Sequence, residues 1–202
     1  MRLLEAFERE HRLIVTVAGA LYRWAEEDGD PADAAAFARF LRTYSAGFHH
    51  AREEEVLFPA LVDHLEVPAD RGPLMVLTQE HRRLEELTAR LARDADRDVA
   101  REIARLLWEH ADKEDTVAFL EAGERLERAG VRELPDREPT AEELAAAELG
   151  EQLARRYTPL EDPNIVRGAG CVACSAYGET CRGIEAEWWN AWEWEHHFGL
   201  QE

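Results

Sequence analysis

Four histidines, His11, His49, His81 and His110, each sit in a stretch whose apolar residues recur at helical spacing. The midpoints of successive pairs fall at or beside Asp28-Gly29-Asp30-Pro31, Glu66-Val67-Pro68-Ala69 and Arg93-Asp94-Ala95-Asp96, the three best turn signals in the first half. In an up-down-up-down bundle, two residues equidistant from a turn stand at the same height on adjacent helices. All four imidazoles are therefore expected at one level of a four-helix core. Two of them carry a glutamate four residues on, His49-x-x-x-Glu53 and His110-x-x-x-Glu114. That spacing puts both side chains on one helix face. The pattern predicts a metal site, and a two-metal one.

Helix one is expected from Leu3 to Glu27, with Leu3, Phe7, Ile14, Val17, Leu21 and Trp24 as its apolar stripe. Asp30-Pro31 opens the second, which runs to Leu65 and is expected to bend at Pro59. Gly72-Pro73 opens the third, and the fourth carries Val99 to Leu126 and stops at Gly130. The predicted fold is all-α, an up-down-up-down four-helix bundle over residues 1–130. A charged linker with two prolines follows at 131–139. A C-terminal module over 140–202 starts with a Thr140-x-x-Glu143 capping box and a helix to Arg156, then a cysteine loop and a Trp-rich helix.

The chain has 202 residues, 46% of them hydrophobic, enough for one core and a small appendage. A net charge of −19 and a pI near 4.8 exclude nucleic acid and disfavour an anionic membrane surface as partners. No apolar run reaches the roughly 18–20 residues of a membrane span. The acidic start, Met1 to Glu8, lacks the apolar core of a signal peptide, so a cytoplasmic location is expected.

A His-x-x-x-Glu pair alone marks a solvated helix-surface ion pair. Four histidines at one level, each in register with an apolar stripe, are a different matter. They offer four imidazole nitrogens and two carboxylates, which suit iron, zinc, copper or nickel, and carboxylates can bridge two cations. Bundle cores house di-iron sites of this kind, although the best-known carboxylate class spaces its motif Glu-x-x-His.

The stretches Glu10-His11-Arg12, His49-His50-Ala51-Arg52-Glu53-Glu54-Glu55-Val56-Leu57-Phe58-Pro59, Glu80-His81 and His110-Ala111-Asp112-Lys113-Glu114 resemble the hemerythrin-like, HHE cation-binding domain family. The resemblance covers about residues 1–130. It implies a non-haem di-iron centre, oxo- or hydroxo-bridged, with His11, His49, His81 and His110 as terminal ligands, two to each metal. Glu53 and Glu114 would bridge the pair. Within the family the pattern looks most like bacterial proteins linked to nitric oxide stress and repair of iron centres.

His50-Glu54 also has ligand spacing. Aligning Leu57-Phe58-Pro59 to the family motif selects His49 and Glu53, and leaves His50, Glu54 and Glu55 as supporting or solvated groups. Oxygen-carrying hemerythrins place a second histidine four residues after the third-helix ligand, where this chain has Glu85. The site then loses a nitrogen and gains either a third carboxylate or an open position, which favours redox chemistry over simple oxygen carriage.

Cys171, Cys174 and Cys181 lie close together, and with His196 they make a possible second metal site. Structural zinc, an iron–sulfur cluster, a redox thiol set and plain reduced cysteines all fit three thiols so spaced. The tryptophans from Trp188 to Trp194 read as a cap on this module or on the bundle. The functional expectation is a di-iron protein that binds and reduces a small diatomic or peroxide (nitric oxide, oxygen or hydrogen peroxide), fed by an electron donor the sequence does not identify. The rivals are a sensor or iron-handling protein whose C-terminal module responds to the centre, and a plain oxygen-binding protein.

Overall fold

The computed structural model describes residues 1–160. Over these residues the chain forms five helices and no strand. Helix α1 spans Arg2–Glu26. Helix α2 is a continuous run over 33–65. It is α-helical over Asp33–Phe40, π-helical over Leu41–His50 and again over Glu53–Leu57, and α-helical from Phe58 to Leu65. Helix α3 spans Gly72–Asp94. Helix α4 runs over 97–128 with a π-helical turn at Glu114–Ala118. Helix α5 spans Ala141–Arg156.

Local chemistry sets the helix ends. The Asp96 side chain accepts from the backbone N–H groups of Asp98 and Val99 and so starts α4. Thr140 and Glu143 form the expected capping box at α5. Between α1 and α2, Asp30 and Pro31 lie in a turn and the helix begins at Asp33. Arg97 staples this turn from α4: it donates to the carbonyls of Trp24 at 2.8 Å and Gly29 at 2.9 Å. Pro59 has no N–H to give to the preceding turn, and the chain meets that loss with the π segment just before it.

Two apolar clusters fill the bundle. One joins Leu3, Phe7, Leu57, Leu61, Leu74, Leu77, Phe119 and Leu126. The other joins Ile14, Leu21, Trp24, Phe37, Phe40, Leu84, Leu91, Ile103 and Leu107. The first cluster thus takes the start of α1 and α3 and the end of α2 and α4, and the second takes the opposite ends. That pairing is the up-down-up-down topology. Each of the four histidines sits at the boundary, as His11 does between Phe7 and Ile14, so a polar layer crosses the bundle between two apolar halves.

The sequence groups α5 with the appendage, yet in the structure its buried face belongs to the bundle core. Ala146, Leu153 and Tyr157 are part of the second cluster, and α5 packs on α1 and α2. Gly150 permits the approach, since a Cβ there would lie 2.6 Å from the Phe40 ring and 3.0 Å from Val17. Tyr157 donates its hydroxyl to Asp33, and Arg156 reaches the same carboxylate at 2.9 Å. Among the described residues no helix is long and apolar enough to cross a membrane.

Candidate metal centre

Each of the four histidines occupies a position in its helix that an apolar residue would otherwise fill, which is why all four are buried. They meet at one level. His11 and His49 have ring centroids 4.5 Å apart, and His81 and His110 4.8 Å. Glu53 and Glu114, both fully buried, join the two pairs. Glu53 places one oxygen 3.2 Å from His49 Nε2 and the other 3.3 Å from His81 Nε2. Glu114 Oε2 lies 3.1 Å from His11 Nε2 and 3.2 Å from His110 Nε2.

Two groups of four potential ligands result: His11, His49, Glu53 and Glu114, and His50, Glu53, His81 and His110. In each group one ligand atom per residue lies within 4.8 Å of the others, and Glu53 serves both.

The sequence left His50 as a supporting or solvated group. It is buried, and it joins the second group of potential ligands beside His49's group rather than replacing it. Its ring lies parallel to that of His81, with centroids 4.1 Å apart and planes 6° from coplanar. Glu85, offered as an extra ligand, is in neither group; it is exposed at the mouth of a cavity between α2 and α3. In the second group α2 thus offers a nitrogen at His50, where α3 has an exposed carboxylate at Glu85. Regular α-helical rotation of about 100° per residue would turn His50 away from the face that His49 shares with Glu53. The π-helical segments of α2 relieve that limit, so that Phe48, His49, His50, Arg52 and Glu53 are all buried. A doublet of histidines followed by a proline is the one sequence signal that pointed there.

The outer nitrogens are held as firmly. His11 Nδ1 meets Asp115 at 2.7 Å, His49 Nδ1 meets Glu10 at 2.8 Å, His81 Nδ1 meets Glu54 at 2.7 Å and His110 Nδ1 meets Glu80 at 2.8 Å. A carboxylate only accepts, so each Nδ1 carries a proton and donates it outward, while each Nε2 faces inward. Such carboxylate–histidine pairs fix tautomer and ring orientation at metal sites. Arg52 bonds Glu10 at 2.8 and 2.9 Å, and Lys113 pairs with Glu80. Glu54, a candidate ligand in the alternative register, serves as one of these outer anchors.

The contacts repeat between the two halves of the bundle. Glu10-His11 on α1 corresponds to Glu80-His81 on α3. His49, Arg52, Glu53 and Glu54 on α2 correspond to His110, Lys113, Glu114 and Asp115 on α4. A π turn starts at each of the two central glutamates, Glu53 and Glu114. His50 breaks the correspondence, because its counterpart is Ala111.

Electrostatics show what the layer lacks. Burial pushes Glu114 well above the usual carboxylate range, and nearby Glu53 adds to it. Burial acts the same way on Glu53, but His49 and His81 outweigh it and hold that carboxyl well below the usual range. His81 loses affinity for a proton by burial, yet hydrogen bonds to Glu53 and Glu54 raise it to about 9. Burial, with His81 beside it, lowers His110 to about 4 despite Glu80. His50 is driven well below its normal value by burial and then by His81.

Buried atoms without a hydrogen-bond partner include Nε2 of His11 and His49, Nδ1 of His50 and all four oxygens of Glu53 and Glu114. Each such group costs about 1–3 kcal/mol if left unsatisfied. Converging lone pairs of nitrogen and carboxylate oxygen are a donor set for borderline cations, so the residues present fit a pair of metal ions.

The hemerythrin HHE cation-binding domain model matches residues 2–122. No curated protein and no solved structure matches the chain. The matched span carries the whole His/Glu layer, and the chain belongs to the hemerythrin HHE cation-binding family.

Proposed function

We propose that this protein is a non-haem di-iron oxidoreductase that binds and reduces a small diatomic or peroxide, with nitric oxide, oxygen and hydrogen peroxide as the candidate ligands. The observation that carries the reading is the doubled ligand set, two four-residue groups sharing Glu53 in a fully buried layer. His11 and His49 would hold one metal, His50, His81 and His110 the other, with Glu53 and Glu114 between them. When bound, an iron pair supplies electrons and an open position for a diatomic or peroxide.

The protein's own residues do the rest. Asp115, Glu10, Glu54 and Glu80 orient the four imidazoles by their Nδ1 protons. The apolar clusters above and below exclude water from the layer. Phe119 stacks on His11 with planes 9° apart, and Phe7 meets His49 edge-on, which limits ring motion. The glutamates offset cation charge where the dielectric is low.

Iron per chain by elemental analysis, followed by anaerobic mixing of the reduced protein with nitric oxide or peroxide, tests the reading. About two irons, with ligand consumed in step with loss of reducing equivalents, is the expected result. Absence of iron after anaerobic reconstitution would overturn it.

One observation favours a second reading, an iron or redox sensor. Asp136, in the segment between α4 and α5, pairs with Arg52 at 3.1 Å, Arg52 bonds Glu10, and Glu10 bonds His49. Next to it Arg137 bonds Glu143 of α5 at 2.8 Å. This relay ties the segment that follows α4 to His49 through Arg52 and Glu10. Iron uptake without turnover, together with iron-dependent partner binding, would select it. Cys171, Cys174, Cys181 and His196 lie outside the described residues; zinc or an iron–sulfur cluster there is a proposal for the same elemental analysis to decide.

A further inference from the structure

A cavity of about 460 Å³ opens between α2 and α3 and reaches the centre at His50. Ser45, His50, Leu84, Thr88 and Leu107 line its buried part. It exists because Ala46 and Gly47 on the π-helical part of α2 face Ala89 on α3, leaving no bulk to fill the space. The volume lies in the range of about 300–1,000 Å³ typical of organic-ligand sites. A diatomic, about the size of a water at roughly 30 Å³, would fill a small fraction of it.

The lining selects a class of ligand. Leucine and alanine side chains dominate, so the occupant is mainly apolar. Two hydroxyls, Ser45 and Thr88, stand in the buried part, and Ser45 Oγ is only loosely engaged, 3.5 Å from His50 Nε2. A hydroxyl both donates and accepts, so it can serve a ligand group of either kind. At the mouth Arg42 and Glu85 are exposed, and neither is in an ion pair among the described residues. Their opposite charges cancel any preference for an anion or a cation.

We propose that this cavity binds a neutral, mainly apolar organic molecule with one hydrogen-bonding group, seated with that group at Ser45 and Thr88 beside His50. Its place next to a metal rests on the di-iron reading; its capacity to bind does not. The centre then works on, or is regulated by, an organic molecule as well as a small gas.

Calorimetric titration of hexan-1-ol and of phenol into the full chain, iron-loaded and metal-free, tests this. Saturable binding of one molecule per chain is expected. Ala46→Phe and Ala89→Phe fill the cavity from opposite walls and should each weaken binding about tenfold or more, roughly 1.4 kcal/mol. The Ser45→Ala/Thr88→Val pair removes both hydroxyls with little change of bulk and should weaken it severalfold, with helicity and iron content unchanged. No saturable binding of either alcohol, or binding indifferent to all these variants, would overturn the proposal. Two irons without alcohol binding would leave the centre standing and remove the cavity site. Alcohol binding by a chain that takes up no iron would do the reverse.

Discussion

His50 stacks on His81 across the α2–α3 interface, rings parallel and 4.1 Å apart, and this contact sets the inner edge of the second ligand group. Removing His50 leaves that group one nitrogen short while the group around His11 and His49 is untouched. His50→Ala is expected to lower metal content from about two ions per chain towards one. Elemental analysis after dialysis checks it, and full retention of both ions would place His50 outside the centre.

Glu10 and Glu80 hold the inward-facing His49 and His110 without joining either group of potential ligands. Loss of such outer carboxylates typically costs about 10–100-fold in metal affinity. Glu80→Gln is expected to fall in that range with helicity preserved. Competition with a chromophoric chelator measures it, and unchanged affinity would make the Glu80–His110 contact incidental.

Gly150 lets α5 lie against α1 and α2. A larger side chain there meets the Phe40 ring and forces the helix outward. Gly150→Leu should cost about 1–3 kcal/mol, the usual penalty for overpacking. A lowered thermal midpoint with unaltered iron content is the expected pair of results, and an unchanged midpoint would mean α5 contributes little to the core.

Glu143 gives a pH dependence that is separable from the centre. The Arg137 guanidinium, with bonds at 2.8 Å to both carboxylate oxygens, and the Thr140 cap lower its pKa from 4.5 to about 2. The folded state therefore binds this proton less readily than the unfolded chain. Its stabilisation is complete above about 4.5 and is lost as the pH falls towards about 2. The difference in unfolding free energy between the wild type and Glu143→Gln should shrink across that window. A difference that stays constant from pH 5 to the acid limit would contradict the assignment.

Much of the layer was legible because helical spacing and turn chemistry are local. The midpoints between histidines anticipated the shared level of His11, His49, His81 and His110. The four-residue spacing anticipated that Glu53 and Glu114 face inward. His50 was weighed and set aside in favour of His49 because regular helix geometry forces a choice between neighbouring residues, and a π segment has no clear signature in composition. Glu10, Glu80 and Asp115 were missed for a different reason, and Glu54, read as a supporting or solvated group, proves to be a supporting one. Each is adjacent in sequence to a ligand but acts on a histidine of another helix, and spacing along one helix does not report such contacts. The place of α5 in the core depends on Gly150 meeting Phe40, a contact more than a hundred residues distant in sequence.

The polar layer also divides the fold into two thermodynamic compartments. Each apolar cluster draws residues from all four bundle helices, so each can keep its own end of the bundle closed. What makes the two ends open together is the band of imidazole and carboxylate between them, and without cations that band holds orphaned lone pairs. Metal loading is therefore a fastening as well as a cofactor event. In the metal-free chain the amides flanking His11 and His81 should exchange with solvent far sooner than those of Leu21 or Leu126, and loading should bring them into a single cooperative unit.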